Sequence, residues 1–196
     1  MKEYYERRAP TYDDWYLGHG RYAVRDMEAW AADLAGLIAT IGELEPCATV
    51  DVACGTGFLT RHLPETVTGL DQSASMLEIA TRQAPGATFV QGDALELPFD
   101  DASFDRVFTG HFYGHLDAVE GRRFLGEAER VARELVVVDA AVRPDHELEE
   151  VQHREVDGET WPVLKRYFAP ETLLQELGGG EILHAGPWFV MARRVR

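Results

Sequence analysis

One acid, two small residues and two glycines follow an apolar run in Val50-Asp51-Val52-Ala53-Cys54-Gly55-Thr56-Gly57-Phe58. Gly55 and Gly57 permit backbone conformations that other residues resist, and Ala53 and Cys54 keep the wall thin. A ligand can therefore press against the main chain where a strand ends. The amides of a helix opening after Gly57 would offer partial positive charge to an anionic group. Asp71 follows Asp51 by twenty residues. There its carboxylate could accept both hydroxyl hydrogens of a ribose, or it could cap a helix beginning near Ser73. A third acid stands in Gly92-Asp93-Ala94-Leu95. It could accept from the exocyclic amine of a purine, with Met76 and Leu95 either sandwiching the ring or packing as ordinary core.

A second group of chemically able residues lies in Gly110-His111-Phe112-Tyr113-Gly114-His115. His111, Tyr113 and His115 are candidates for a general base, with substrate packing and capping as the other roles open to them. The histidines are four apart, but no glutamate of a zinc-protease motif follows and no third ligand is evident, so no metal site is expected. His146 and His153 are weaker candidates.

The elements that must position these groups alternate. Strands are predicted over 50–52, 66–70, 87–91, 104–109 and 135–139. Helices are predicted over 22–41, 58–63, 73–84 and 118–132, the first from the three-to-four spacing of Val24, Met27, Trp30, Leu34, Leu37, Ile38 and Ile41. Pro64 stops the second, and Pro85-Gly86 breaks the third. Such alternation implies a doubly wound α/β fold, a mostly parallel sheet with helices on both faces and ligands at the strands' carboxyl ends. Asp51 with its glycines, Asp71, Asp93 and the loop from Gly110 would gather at that edge. Residues 143–160 turn polar and acidic, with a turn signal at Asp157-Gly158, and read as an excursion over the mouth of the site. A last helix over 170–177 and a closing hairpin, 182–184 with 188–193, complete the chain.

Residues 3–16 pack four tyrosines and one tryptophan around two arginines before any long apolar period. They read as a cover that orders over a ligand, or as an arm sealing the sheet edge or a dimer contact.

With 196 residues, 45% of them hydrophobic, the chain suits one domain with a well-buried core. No window resembles a membrane span or a signal peptide, so a cytoplasmic protein, monomer or homodimer, is expected. Cys47 and Cys54 have no partner cluster, so neither a disulfide framework nor zinc is indicated. A net charge of -15 with no basic run argues against nucleic acid and favours a small-molecule partner.

In the order Asp51-x-Ala53-x-Gly55-x-Gly57, Asp71, Gly92-Asp93-Ala94 with Leu97-Pro98-Phe99, and Phe104-Asp105, the sequence resembles the class I S-adenosylmethionine-dependent methyltransferases over nearly its whole length. The family usually has glycine where Ala53 stands. The resemblance implies a seven-stranded sheet in the order 3-2-1-4-5-7-6 with the last strand antiparallel. It implies S-adenosylmethionine as cofactor, leaving as S-adenosylhomocysteine, and methyl transfer to an O, N or C nucleophile of a small molecule. It places the donor's methionine portion against Ala53 to Gly57 and Thr109 to His111, its ribose on Asp71, and its adenine among Gln72, Met76, Asp93, Ala94 and Leu95. Residues 1–20, with Tyr5, Arg8 and Tyr12, correspond to an amino-terminal lid. A binding module without transfer activity is the alternative. A dinucleotide-dependent oxidoreductase fits less well, because its third glycine is replaced by Thr60.

Overall fold

The computed structural model describes every residue except 21, 22, 24, 25, 65, 145 and 146. Val24 and His146, named above, and residue 22, the first of the helix predicted over 22–41, lie outside the described residues.

Strands β1 (Thr49–Val52), β2 (Val67–Asp71), β3 (Thr88–Gln91), β4 (Arg106–Gly110) and β5 (Glu134–Ala140) pair in parallel. Two strands of a separate antiparallel hairpin follow, β6 (Glu149–Val156) and β7 (Glu159–Arg166). The closing strands β8 (Glu181–Ala185) and β9 (Phe189–Val195) return to the main sheet, where β9 runs antiparallel to both β5 and β8. The main sheet has seven strands in the order β3-β2-β1-β4-β5-β9-β8. This is the predicted order once the inserted hairpin is counted.

The helices are α1 (Lys2–Arg8), α2 (Asp14–Leu17), α3 (Met27–Gly42), α4 (Ala74–Gln83), α5 (Ala118–Val131) and α6 (Pro170–Leu177). Their ends are chemically marked. Asp26 accepts from Ala29 N, Ser73 from Met76 N, and Asp117 with Glu120 forms a reciprocal capping box. α6 opens on proline and closes at Gly178, whose φ of 81° is the left-handed conformation glycine tolerates.

The alternation of β5 sorts its side chains to two faces. Leu135 and Val137 join Phe124, Ala128 and Val131 of α5 and Leu173 and Leu177 of α6. Val136 and Val138 join Trp30, Leu37 and Ile41 of α3. Buried Asp33 ties α3 to the closing hairpin by accepting from His184 Nε2 at 2.7 Å, Trp188 N at 2.7 Å and Phe189 N at 3.1 Å.

One expectation is corrected and two gain detail. The helix predicted over 58–63 is a single 3₁₀ turn, Thr60–His62. Between Gly57 and Pro64 there is no room to repay helix nucleation with propagated hydrogen bonds, so no helix dipole serves the glycine turn. The cover at 3–16 is substantially helical, as α1, a 3₁₀ turn at Ala9–Thr11, and α2. The excursion is the β6–β7 hairpin, reversed at Asp157 and Gly158 with φ of 52° and 78°, the pair of positive values that a tight two-residue hairpin turn requires.

Candidate functional site

At the end of β1 the chain enters left-handed conformations at Ala53, Gly55 and Gly57, with φ of 58°, 55° and 76°. A Cβ on Gly57 would stand 3.2 Å from Ala80 of α4, so the turn is pressed against that helix. Asp51 is buried beneath it. Its Oδ2 accepts from Thr60 Oγ1 at 2.6 Å, and its Oδ1 is buried with no hydrogen-bond partner among the described residues. Burial, reinforced by the charge of Asp71 and opposed by the Thr60 hydroxyl, raises the Asp51 carboxyl to about 7. The sequence had shown Thr60 only as a missing glycine; its hydroxyl positions Asp51.

Asp71 performs the capping work left open above, and more. Its Oδ1 accepts from Ser73 N and its Oδ2 from Gly55 N, each at 2.9 Å, so one carboxylate braces both the start of α4 and the glycine turn. Burial raises its pKa despite these amides. Cys54 is half-buried, and burial first, then Asp51 and Asp71, push its thiol well up, so it is inert lining. Thr109 is buried and donates from Oγ1 to Val52 O at 2.8 Å, locking β4 to β1.

Of the residues expected to hold the adenine, Met76 is fully buried and Ala94 buried, with half-buried Leu95 packed on the core. Gln72 and Asp93 are exposed; Gln72 O accepts from Gln91 Nε2, and Asp93 Oδ1 accepts from Leu95 N at 2.8 Å.

The loop after β4 separates its three candidates. His111 is buried, with φ of 56°, its ring 4.6 Å from that of Trp15 and its Nδ1 4.0 Å from Asp139 Oδ1. His115 Nδ1 meets Leu164 O at 2.5 Å, which makes this nitrogen the donor and leaves Nε2 with the lone pair. Burial, then the charges of Lys165 and Arg154, hold its imidazole far below the ordinary value, so it stays neutral. Tyr113 is turned the other way, packed on Phe124 and Phe168, with its hydroxyl pushed up to about 12 by burial and Glu176. It faces the core, out of reach of the site. His111 and His115 lie on a loop and a 3₁₀ turn, so their spacing does not put them on one helical face.

The amino-terminal segment lies across this edge. Glu6 accepts from Ala74 N at 2.8 Å and Ser75 N at 3.0 Å, and Asp13 accepts from Thr56 Oγ1 and Gln83 Nε2, both at 2.5 Å. Tyr16 stacks on Phe58 with 3.9 Å between ring centres. Arg7 reaches the β6–β7 hairpin through Glu159 at 2.9 Å, so segment and hairpin form one roof.

Two hollows result. The smaller, about 10 Å³, is lined by Asp51, Ala53, Cys54, Thr56, Gly110 and the rings of Tyr12 and Tyr16, among others. The larger, about 230 Å³, is walled by Tyr5, Arg8, Tyr12, Trp15, His111 and His115 on one side and by the hairpin and Trp188 on the other. Tyr12 borders both, and adjoining Gly110 and His111 border one each.

A family profile described as "Methyltransferase domain" matches residues 50–136, from the glycine turn through β5. Among curated proteins, phthiotriol/phenolphthiotriol dimycocerosates methyltransferase 1 of Mycobacterium ulcerans is 39% identical over 125 residues, covering 57% of this chain and 44% of that protein. Demethylmenaquinone methyltransferase of Thermotoga maritima is 37% identical over 102 residues, covering 50% and 44%. The chain thus spans less than half the length of these relatives. Among solved structures, one described as a DhpI-SAH complex superposes with a TM-score of 0.70 at 28% identity, over 98% of this chain and 94% of that one. A DhpI-SAM-HEP complex gives 0.68 at 26% identity, over 97% and 94%. Glycine turn, paired acids, sheet order and these likenesses agree: residues 50–136 match a methyltransferase domain, and the fold is similar to that of S-adenosylmethionine-dependent methyltransferases.

Proposed function

We propose that this chain transfers the methyl group of S-adenosylmethionine to a small molecule held in the 230 Å³ cavity. The observation that carries the reading is the junction: the glycine-turn hollow and the cavity meet at Tyr12 and the Gly110–His111 pair.

The residues at the turn fit the donor. Asp51 Oδ1 is a buried acceptor in want of a donor, suited to an ammonium group. Asp71 presents a buried carboxylate, whose oxygens each keep a lone pair beyond the amides they already accept. Met76, Ala94 and Leu95 offer an apolar rest for a base. Bound there, the donor supplies an electrophilic methyl on a sulfonium, whose carbon–sulfur bonding pair leaves to sulfur as the new bond forms.

The chain's own part is alignment, exclusion of water and care of a proton. Near-attack alignment alone is worth as much as roughly 7 to 11 kcal/mol. The aromatic roof of Tyr5, Tyr12 and Trp15 keeps the junction dry. His111 is the base for a protonated nucleophile. It borders the cavity, and Asp139, 4.0 Å away, is held ionised by Lys165 against the upward push of burial, ready to stabilise an imidazolium. His115, kept neutral and hydrogen-bonded, orients the acceptor rather than taking its proton.

As the roof stands, Tyr12 and Tyr16 leave far less room at the turn than the ~300 Å³ or more of a small-molecule site. The amino-terminal segment therefore acts as a lid that withdraws to admit the donor. Calorimetry with S-adenosylhomocysteine, followed by transfer of labelled methyl to a panel of small acids, amines and phenols, tests the proposal. Binding of the nucleoside with transfer to a panel member is the expected result; failure to bind it overturns the reading, and binding without any transfer favours the non-catalytic module.

A further inference from the structure

The cavity carries a charge opposite to that of the molecule around it. The chain has a net charge of -15, yet the cavity is lined by Arg8, Arg143, Arg154 and Lys165, and among the described residues none that lines it is an aspartate or glutamate. Only Lys165 and Arg8 are buried; Arg143 and Arg154 are half-buried, from the segment after β5 and from the hairpin.

Carboxylates do stand behind the wall, and they decide how much of this charge survives. Asp139 meets Lys165 Nζ at 2.7 Å and offsets it. Glu150 accepts from Tyr167 Oη at 2.9 Å and from Gln152 Nε2 at 2.7 Å. Arg154 is different. Its Nε and Nη2 both donate to Gln152 Oε1, at 2.9 and 2.7 Å, and it pairs with no carboxylate among the described residues. A carboxamide fixes the direction of a guanidinium without cancelling its charge, which is how a protein pre-organises an anion receptor rather than a structural ion pair. Arg154 lines the cavity together with Tyr5, Tyr12, His115 and Tyr167. The opposite requirement is met by Trp15, Trp30 and Trp188, an apolar wall that Arg143 itself covers, 4.2 Å above the Trp188 ring.

We propose that the methyl acceptor is a small organic oxyanion, a carboxylate or phosphate ester, whose charged head is received by Arg154 with Arg8, Arg143 and Lys165 while its carbon skeleton lies on the tryptophan wall. The volume of about 230 Å³ lies just below the usual range for ligand sites, which suits a compact head group. Burial of the head group in a low-dielectric, cation-lined space makes charge, not shape alone, the basis of selection. This inference rests on reading the cavity as the acceptor site, and its test is independent of donor binding.

The test uses the full chain, with and without saturating S-adenosylhomocysteine, titrated calorimetrically with benzoate, phenyl phosphate and neutral benzamide. At least one anion should bind about tenfold or more tighter than benzamide, and whichever of the two binds tighter identifies the head group. Arg154→Gln should weaken that anion about tenfold or more and leave S-adenosylhomocysteine affinity within about twofold; Arg154→Lys should restore part of the loss. Should Arg154→Gln not fold, Arg143→Gln gives the same readout from the other wall. Benzamide binding as tightly as both anions, no anion binding, or anion affinity unchanged in the variant overturns the proposal. Loss of S-adenosylhomocysteine binding with anion binding intact would instead count against the donor site.

Discussion

Lys165 Nζ on β7 lies 2.7 Å from Asp139 Oδ1 at the end of β5, with both side chains buried. This pair fastens the inserted hairpin to the main sheet. Asp139 also accepts from Gly114 N at 2.7 Å, so one carboxylate joins β5, the loop after β4 and the hairpin. Removing only the lysine leaves a buried charge uncompensated. Lys165→Met should cost about 3 to 5 kcal/mol in urea unfolding, and Lys165→Met combined with Asp139→Asn should cost clearly less than the sum of the singles. Strictly additive losses would contradict the coupling.

Asp51 makes the stability of the ligand-free chain depend on pH in an unusual direction. Its pKa is raised from 3.8 to about 7, first by burial. Between those values the folded chain holds a proton that the unfolded chain releases. The contribution is therefore full below about pH 4 and is lost as pH rises through 7, with a ceiling of about 4 kcal/mol. Asp51→Asn, which carries no titrating proton, should flatten this part of the profile of unfolding free energy against pH. A variant whose slope from pH 4 to 7 equals that of the parent would refute the assignment.

The strand–helix alternation was legible, and four parallel strands end in residues that tolerate or need an open edge: Asp51 before its glycines, Asp71, Gly92-Asp93 and Gly110. The order of the strands followed only from the family resemblance that those residues carry. The hairpin was not legible as strands, because Glu149 to Val156 is largely charged and both faces of an isolated two-stranded ribbon are partly open, leaving little apolar alternation to read. Only its turn, Asp157-Gly158, left a signal. The cationic cavity was hidden for another reason. Arg8 and Arg154 are far apart in sequence, and a search for basic runs sees only neighbours in the chain. Tyr113 misled because a loop reverses direction between residues, so nearness to His111 in sequence says nothing of shared orientation.

Asp71 should be tested with two readouts, since it serves two structures. Asp71→Ala removes the acceptor for Gly55 N and Ser73 N and, on our proposal, the acceptor for a ribose. Affinity for S-adenosylhomocysteine should fall by roughly 1 to 3 kcal/mol, and folding stability by a comparable amount. Asp71→Asn keeps one carbonyl acceptor and should recover more of the stability than of the affinity. Unchanged affinity in both variants would remove Asp71 from the donor site and leave it as a brace alone.

The lid should gate donor entry, and Asp13 is its latch. Its two carboxylate oxygens hold Thr56 beside the glycine turn and Gln83 on α4, so the segment carrying Tyr12 is tied to both walls of the seat. Opening must break these bonds before a nucleoside can displace Tyr12 and Tyr16 from the hollow they fill. In stopped-flow mixing with S-adenosylhomocysteine, the observed rate should level off with concentration at the rate of opening. Asp13→Ala loses two hydrogen bonds to a charged acceptor, worth about 1.5 kcal/mol or more together, so its plateau should rise about tenfold. The dissociation rate should rise as well, because the same bonds close the lid over the bound nucleoside. A wild-type rate that increases linearly without limit would mean that the seat is open in solution and that Tyr12 is not a gate.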